Sequence, residues 1–396
     1  MGIRSLTLGL EATDWRFRES CHFFVETLSW RGPSGEELER SLLVRRWIRN
    51  SFLVVGGILL LLIASGLVVG CMFAGSVHKG SVTDHFDGKY FKNQDDVPEH
   101  GFKDFWKWTT NRDQGPWKRS STPPEEKAFA KRVATGELKL TFVNHTTFLI
   151  QYDGLNVLTD PVWSKRVSPV SFAGPLRFTD PGVRFEDLPP IDVVIVSHNH
   201  YDHMDIPTLK QLEETHKPLF LVSLGNRELL VDAGLGSVIE MDWWDERILS
   251  NNQSVTYVPA THFSGRGLGD RNRTLWGGFV LQTTGGPVYF AGDTGWGKHF
   301  EEVKERFGAP RVSLLPIGAY KPRWFMSPVH ISPAEAVEAH LLLDSKVSVA
   351  SHFGAFALAD DGQEEPLEEL IRVMAEKNIE DNRFLVLNRG TTLEVQ

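Results

Sequence analysis

Three histidines and one aspartate lie within six residues, directly after an apolar run of strand length, and this arrangement constrains the fold more than any other feature. The motif consists of His198, His200, Asp202 and His203, and the run before it covers residues 191–196. Four such side chains at the carboxyl end of a buried strand are costly unless something binds them. Imidazole nitrogens and carboxylate oxygens are both good zinc ligands. The motif therefore predicts a metal site at a sheet edge, in preference to a solvated histidine-rich loop.

Apolar runs of strand length recur through the rest of the chain, with turn residues between them. These runs are residues 138–143, 147–152, 155–159, 191–196, 219–222, 255–258, 278–282, 288–291, 312–315, 347–350 and 384–387. Helical patterns separate some of them, at residues 206–214, 298–307, 333–343 and 366–377. Pro333 and Pro366 suit the first turn of a helix, where no backbone N–H needs a partner. Strands that alternate with helices and hairpins predict a layered α/β domain. Periodicity does not give the strand order.

The composition argues against a protein whose main partner is nucleic acid. The 396 residues carry a net charge of -9, and no long run of lysine and arginine occurs. The 41% hydrophobic content is enough for a full-size core. The two cysteines, Cys21 and Cys71, lie outside the region of the motif, so the metal ligands must be histidine and aspartate. The oligomeric state is not readable from the sequence.

An uncharged apolar stretch, residues 51–74, is long enough to span a bilayer as a helix. Arg45, Arg46 and Arg49 precede it, and the next cation is Lys79. The excess of positive charge on the N-terminal side of the stretch predicts a single-pass membrane protein with the folded domain outside the cytoplasm. An alternative is a lipid anchor, because residues 68–71 resemble a bacterial lipobox that ends in Cys71. A buried helix of a soluble protein is the third alternative.

Three later apolar runs are also followed by a potential metal ligand. His262 follows residues 255–258, Asp293 follows 288–291, and His352 follows 347–350. Binding sites in α/β sheets form at the carboxyl ends of strands. With the first motif, these positions supply five histidines and two aspartates, enough for two metal sites.

This ligand set resembles that of the metallo-β-lactamase superfamily. The resemblance implies a four-layer αββα fold that holds two zinc ions. It implies that His198, His200 and His262 hold the first metal. It implies that Asp202, His203 and His352 hold the second, and that Asp293, within the sequence Gly292-Asp293-Thr294, bridges both.

Longer segments resemble the branch of N-acylphosphatidylethanolamine-hydrolysing phospholipase D and its bacterial relatives. These are residues 84–88, 144–147, 158–162, 259–264, 275–278, 318–320 and 322–326. The resemblance covers roughly residues 84 to 390. The chain departs from the mammalian enzyme at Val329, where that enzyme has a glutamine before the histidine that matches His330.

The resemblance implies a two-zinc phosphodiesterase that acts on N-acylphosphatidylethanolamine or a related phospholipid through a metal-bridging hydroxide. The apolar stretch at residues 51–74 adds the expectation that this enzyme is anchored to a membrane. The catalytic candidates are Asp202, Asp293 and His330. The candidates for substrate binding are His145, Tyr201, Arg266, Arg323 and His330. Asp205 is expected to orient a ligand histidine, and Asp160 either to do the same or to cap a turn. The alternatives are a lactonase or other ester hydrolase, or a membrane-anchored zinc-binding sensor or partner protein.

The sequence thus predicts four segments. They are an N-terminal segment of unknown role (1–50), a transmembrane helix or signal or lipoprotein anchor (51–74), an extended arm (75–126) and a hydrolase domain (127–396).

Overall fold

The structure, a computed structural model, describes residues 34–250 and 253–395. The chain divides into two compact units, Met1–Ala64 and Ser65–Gln396. Most of the N-terminal segment predicted over residues 1–50 therefore lies outside the described residues, and so does the side chain of Cys71. The division into four segments stays a prediction.

The first described element is a long helix, α1 (Gly35–Met72). It begins well ahead of the predicted span, and its first half carries glutamate and arginine side chains that would be costly to bury in a bilayer. Among the described residues, no helix has both the length and the apolar character needed to cross a membrane. The membrane span predicted over residues 51–74 is thus not supported.

The described part of the second unit alternates strands with shorter helices. The helices are α2 (Phe102–Thr110), α3 (Ile206–Thr215), α4 (Arg227–Asp232), α5 (His299–Phe307), α6 (Arg323–Met326), α7 (Pro333–Leu343) and α8 (Glu365–Glu376). The strands are β1 (Leu138–Asn144), β2 (Thr147–Tyr152), β3 (Leu155–Thr159), β4 (Val193–Val196), β5 (Leu219–Ser223), β6 (Val238–Met241), β7 (Glu246–Ser250), β8 (Gln253–Val258), β9 (Gly278–Thr283), β10 (Gly286–Phe290), β11 (Val312–Pro316), β12 (Val347–Ser351), β13 (Phe384–Leu385) and β14 (Thr392–Val395). A short 3-10 helix covers Phe185–Asp187.

These strands form two seven-stranded sheets. Their orders are β14-β1-β2-β3-β4-β5-β6 and β13-β12-β11-β10-β9-β8-β7. In the first sheet the pairings from β14 to β3 are antiparallel and those from β3 to β6 are parallel. In the second, the pairings from β7 to β10 are antiparallel and those from β10 to β13 are parallel. Strands β1, β3 and β4 therefore end at one edge of their sheet, and β8, β10 and β12 end at one edge of theirs.

Each sheet buries both of its faces, so its central strands are apolar throughout. In β4, Ile195 packs into the core between the two sheets. Its neighbours Val194 and Val196 face the opposite way, toward Leu209 and Leu212 of α3. The outer face of the second sheet packs against α5, α7 and α8 in the same manner. Successive side chains of a strand point to opposite faces of its sheet. Because both faces are buried here, every position is apolar, which explains the continuous apolar runs in the sequence. The predicted four-layer αββα arrangement is confirmed.

Strongly patterned elements were predicted well and weakly patterned ones were not. Helix α7 begins at Pro333, as predicted, and Ser332 with Glu335 forms a capping box there. Pro366 also lies in the first turn of its helix. Strand β7 has no apolar signal because most of its side chains are exposed. The segment predicted to be an extended arm contains the helix α2. The other elements that periodicity missed are α4, α6, β6, β14 and the short 3-10 helix.

Candidate metal centre

The seven predicted ligands lie together at the edge where the two groups of strands end. The motif that follows β4 is held in place by Asp160, the residue after β3. Ser197 donates its N–H to Asp160 Oδ1 at 2.7 Å and its hydroxyl to Oδ2 at 2.6 Å. Both residues are fully buried. Asp160 thereby fixes the backbone at the point where strand geometry ends and the motif begins.

The first predicted ligand set forms a compact group of three imidazoles. His198 Nε2 lies 2.8 Å from His200 Nδ1, and His262 Nε2 lies 3.3 Å from the same atom. The three ligand atoms all fall within 4.8 Å of one another. This spacing can hold one cation.

The second predicted ligand set gathers around Asp202. Its Oδ2 lies 3.2 Å from His203 Nε2 and 3.4 Å from His352 Nε2. His145 joins this group, with its Nε2 3.0 Å from the same oxygen. Together these four residues form a second group able to hold a metal ion.

One carboxylate oxygen connects the two groups. Asp293 Oδ2 lies 3.1 Å from both His203 Nε2 and His352 Nε2. It lies 3.8 Å from His262 Nε2 and 4.0 Å from His198 Nε2. Asp293 thus occupies the position that the resemblance implies for a residue that bridges two metals.

The hydrogen-bond balance of the cluster fits a bound cation. Among the described residues, His203 Nε2, His352 Nε2 and Asp293 Oδ1 are buried and make no well-formed hydrogen bond, although both nitrogens lie 3.1 Å from Asp293 Oδ2. Buried polar atoms without partners cost free energy. Imidazole nitrogens and carboxylate oxygens aimed at a common point are the donor set of a zinc-type site. The residues therefore form a histidine and aspartate cluster able to bind metal.

The ionisation of the cluster follows from its burial and its mixed charges. Burial lowers the pKa of His200 and of His262 to about 3, so both imidazoles are neutral and can offer a lone pair. Burial opposes ionisation of Asp293, but attraction to His203 and His352 outweighs it and holds the pKa of this carboxyl well below its usual range. Burial also opposes protonation of His203 and His352, but attraction to Asp293 and Asp202 outweighs it, raising the pKa of His203 well above its usual value and that of His352 to about 9. Because neutral imidazoles are the form that binds metal, these two rings would each release a proton on binding it.

Hydrogen bonds at the far side of the rings orient two ligand histidines. His203 Nδ1 lies 2.7 Å from Asp160 Oδ2, which turns Nε2 toward the cluster. His262 Nδ1 lies 2.8 Å from the carbonyl oxygen of Val329. Val329 supplies this contact through its backbone, and it also lines the cavity described below. The expectation that Asp160 orients a ligand histidine is confirmed.

Asp205 does not touch a ligand histidine. Its carboxylate accepts hydrogen bonds from Ser164 N at 3.0 Å and Ser164 Oγ at 2.8 Å. It also accepts one from Thr208 Oγ1 at 2.5 Å, at the start of α3. Asp205 fixes a loop to a helix, and its expected role in orienting a ligand was wrong.

A cavity of about 510 Å³ opens above the cluster. His330 lines it, with its ring centroid 5.1 Å from that of His262. Burial lowers the pKa of His330 to about 3, so the ring is neutral and can donate one N–H. Of the predicted substrate-binding residues, His330 is the one that the structure places in this cavity.

The other predicted substrate residues lie elsewhere. His145 is buried against Asp202. Arg266 stacks over the ring of Tyr201 at 3.9 Å, and both line a different cavity. Its guanidinium donates to the carbonyl oxygens of Asn199 and Met204, so it supports the motif loop. Arg323 donates to the carbonyl oxygen of His330 at 2.9 Å and pairs with Glu335 at 2.7 Å. Both arginines are held by protein groups, which sequence alone does not reveal.

Sequence reasoning missed several polar residues of the cavity, Arg271 and Asn93 among them. Arg271 is the only lysine or arginine among the described lining residues, and it stacks over Phe263 at 4.0 Å. Asn93, in the predicted arm, accepts from His262 N at 2.9 Å and donates to His262 O at 3.0 Å. No motif marks either position; Asn93 lies 169 residues from its partner.

Comparison with known proteins agrees with this geometry. Residues 155–353 match the family described as Beta-lactamase superfamily domain. The chain is 35% identical over 266 residues to N-acyl-phosphatidylethanolamine-hydrolyzing phospholipase D 1 of Caenorhabditis elegans, covering 64% of this chain and 75% of that protein. It is 36% identical over 225 residues to the mitochondrial enzyme of the same description from Saccharomyces cerevisiae, covering 55% of this chain and 48% of that one.

A solved structure shows the same fold. Isothiocyanate hydrolase from Delia radicum gut bacteria superposes with a TM-score of 0.52 at 21% identity, over 65% of this chain and 100% of that one. The chain belongs to the metallo-β-lactamase superfamily, in the branch that includes the N-acylphosphatidylethanolamine-hydrolysing phospholipases D. It is a metallo-hydrolase by family, with homologues that hydrolyse a phospholipid diester.

Proposed function

We propose that this protein is a two-zinc phosphodiesterase of the phospholipase D type, acting on N-acylphosphatidylethanolamine or a related phospholipid. The observation that carries the proposal is the position of Asp293 Oδ2, within 4.0 Å of four imidazole nitrogens at the floor of a largely apolar cavity. A cluster that can hold two metal ions is suited to the hydrolysis of a phosphodiester. The apolar wall of the cavity is suited to contact with the acyl chains of a lipid. The names of the two curated relatives support the same substrate class.

The two ligand sets would hold one metal each, with Asp293 shared between them. When bound, such ions supply a water of lowered pKa as nucleophile and neutralise charge on the phosphoryl oxygens. The chain's own part is to hold the ligands rigidly. Asp160 and the Val329 carbonyl do this for His203 and His262.

His330 and Arg271 are the proposed contacts to the phosphate. His330 can donate its one N–H to a phosphoryl or leaving-group oxygen beside the cluster. Arg271 stays exposed at the cavity and carries a positive charge that can pair with a phosphate oxygen. Arg271 replaces Arg266 and Arg323 as the proposed anion anchor, because those two are occupied by protein partners.

The remaining cavity wall is proposed to contact the lipid chains. Its apolar side chains come from the arm with α2, from α6 and from the loop after β12: Val97, Phe102, Phe105, Trp108, Phe325, Met326 and Leu358. Burial of an acyl chain against such a wall is favourable in proportion to the apolar area removed from water. The location of the domain outside the cytoplasm, and a lipid anchor at Cys71, stay predictions of the sequence.

The deciding experiment measures products and metal content of the same preparation. We expect the zinc-loaded chain to release phosphatidic acid from N-acylphosphatidylethanolamine and to contain about two zinc ions per chain by mass spectrometry. Hydrolysis of lactones with inert phospholipid would instead favour a lactonase. Metal binding without turnover of either substrate would favour a sensor or partner protein.

A further inference from the structure

His299, the first residue of α5, is a buried histidine next to the metal centre but outside its ligand groups. It is 1% exposed. Among the described residues, it belongs to none of the groups that could hold a metal ion. Its Nε2 lies 3.1 Å from Thr294 Oγ1, and its Nδ1 lies 3.5 Å from Thr261 Oγ1. Thr261 directly precedes the predicted ligand His262, and Thr294 directly follows Asp293. The ring therefore contacts a neighbour of each ligand.

The two threonines connect loops that the sheet itself does not connect. His262 follows β8 and Asp293 follows β10, and β9 lies between these two strands. Because ladder hydrogen bonds join only neighbouring strands, the ends of β8 and β10 need another contact. Thr261 N donates to Thr294 Oγ1 at 3.0 Å, and Gly295 N donates to the carbonyl oxygen of Thr261 at 2.7 Å. These two bonds hold the ligand-bearing loops together beyond the edge of the sheet.

His299 completes the hydrogen bonds of both threonines. The Thr294 hydroxyl gives its own proton to the carbonyl oxygen of Gly295 at 2.7 Å. Its oxygen can then accept from Thr261 N and from His299 Nε2. Burial lowers the pKa of His299 to about 3, so the ring is neutral and carries a single N–H. With that N–H at Nε2, the Nδ1 atom is left to accept from the Thr261 hydroxyl.

The ring of His299 is closely packed in this position. A methyl group at Gly297 would collide with Thr261 Oγ1 and come within 2.8 Å of His299 Nδ1. Asp95 of the arm accepts a hydrogen bond from Lys298 N at 2.9 Å, which fixes the backbone just before α5. Close packing and a fixed backbone thus keep the ring against the two threonines.

We propose that His299 is a positioning residue for the metal centre. By holding the two threonines together, it keeps His262 of the first ligand set at its distance from the shared ligand Asp293, where Nε2 and Oδ2 lie 3.8 Å apart. Preformed geometry favours metal binding, because a ligand that moves freely must be ordered when the ion binds. The inference rests on the metal centre of the proposed function, but not on its substrate.

A purely structural role is the competing explanation, and the chain offers a matched control for it. His340 is also a buried histidine on a helix, with its Nδ1 2.8 Å from Ser348 Oγ. Neither His340 nor Ser348 adjoins a predicted ligand in the sequence. Loss of either histidine should destabilise the fold, whereas only the loss of His299 should disturb the metal centre.

Chelator competition with the full-length protein measures zinc affinity without turnover. We expect His299→Ala to weaken zinc binding about tenfold to a hundredfold, and His340→Ala to leave it unchanged. His299→Gln, which can keep an N–H near the position of Nε2, should restore most of the affinity. Unchanged affinity in His299→Ala overturns the proposal, and so does an equal loss in both alanine variants. A wild type that binds no zinc contradicts it as well.

Cobalt(II) in place of zinc reports the arrangement of the ligands directly, because its visible absorption depends on coordination geometry. We expect an altered spectrum for His299→Ala and a wild-type spectrum for His340→Ala. Gly297→Ala displaces the ring without removing it and should alter the spectrum too, which keeps the test decisive if His299→Ala does not fold. A wild-type spectrum in either the His299 or the Gly297 variant excludes the positioning role. Neither measurement uses a phospholipid, so a failure of the proposed substrate is seen separately.

Discussion

At the residue scale, the metal ligands of the site could be predicted from sequence motifs, whereas some residues that hold those ligands in place could not. His198, His200 and Asp202 stand in a recognisable motif, and Asp293 follows a strand end. Their identities could be predicted because metal chemistry restricts the residue types. Asn93 could not be predicted, because its contact with the backbone of His262 depends on how a distant segment packs.

Substitution of Asp293 by asparagine tests the shared ligand. We expect kcat/KM for the phosphodiester to fall by about a thousandfold or more, because the charge between the two ligand groups is lost. Steady-state assays with metal analysis measure this. Full activity with unchanged metal content would exclude the bridging role.

Substitution of Asp160 by asparagine tests the residue that orients His203. We expect metal affinity to fall about tenfold to a hundredfold, because the amide no longer fixes the tautomer of the ring. Competition with a chelating dye measures the affinity. Asp205→Asn is the matched control, since Asp205 is also a buried aspartate but forms its hydrogen bonds with Ser164 and Thr208 instead of a ligand. Equal losses in both variants would point to general destabilisation.

Substitution of Arg271 by glutamine tests the proposed phosphate contact. A charge-assisted hydrogen bond contributes about 1.5–3 kcal/mol, so we expect kcat/KM to fall roughly tenfold to a hundredfold with metal content unchanged. Arg247→Gln, on the exposed edge strand β7, serves as the control. An Arg271 variant with wild-type kinetics would remove this residue from the site.

At the element scale, the arm is held to the domain by a few specific contacts. Phe86 and Phe91 enter the core between the sheets. His85 Nε2 lies 2.8 Å from Asp242 Oδ1, and its ring stacks on Trp243 at 4.5 Å. These contacts explain why a polar stretch with no periodicity is still ordered. Sequence patterns indicate the faces of an element but not its distant partners.

The contact of His85 gives a pH dependence with a defined sign. Burial lowers the pKa of His85, but hydrogen bonds to Asp242 and Asp84 outweigh it, so the pKa is raised above its usual value of 6.5. The stabilisation is therefore fully present below pH 6.5 and is lost as the pH rises through the raised pKa. We expect His85→Gln to remove this part of the pH dependence, as measured by urea unfolding across that range.

Two partner variants check the assignment. Asp242→Asn should reproduce the effect of His85→Gln. Asp84→Asn should have a smaller effect, because Asp84 is 94% exposed and solvent screens its charge. The opposite ranking would contradict the assigned contact.

At the scale of the whole molecule, the histidine and aspartate cluster draws its residues from both sheets. The motif follows a strand of the first sheet, whereas His262, Asp293 and His352 follow strands of the second. A cation bound to both sets would connect the two halves of the fold. Metal binding should therefore contribute to the stability of the whole domain.

Removal of metal tests this connection. We expect chelation to lower the melting temperature and added zinc to restore it. When free zinc reaches a hundred times its Kd, binding should add about 2.7 kcal/mol to the free energy of unfolding. Differential scanning calorimetry measures the shift. Magnesium, which prefers octahedral oxygen ligands, should restore less. A melting temperature that does not respond to zinc would show that the cluster does not join the sheets through a metal.

The sequence by itself determined the ligand types, their order along the chain and the layered α/β class. These features depend on local chemistry and on side-chain periodicity, which are fixed by neighbouring residues. Only the tertiary structure decided which polar groups meet. From the sequence, Arg266 and Arg323 were predicted to bind the anionic substrate. In the structure Arg266 donates to backbone carbonyl oxygens, and Arg323 donates to a backbone carbonyl oxygen and pairs with Glu335. Packing likewise placed Arg271 and the aromatic side chains of α2 around the cavity, because contacts between distant segments depend on how the two sheets and the arm assemble.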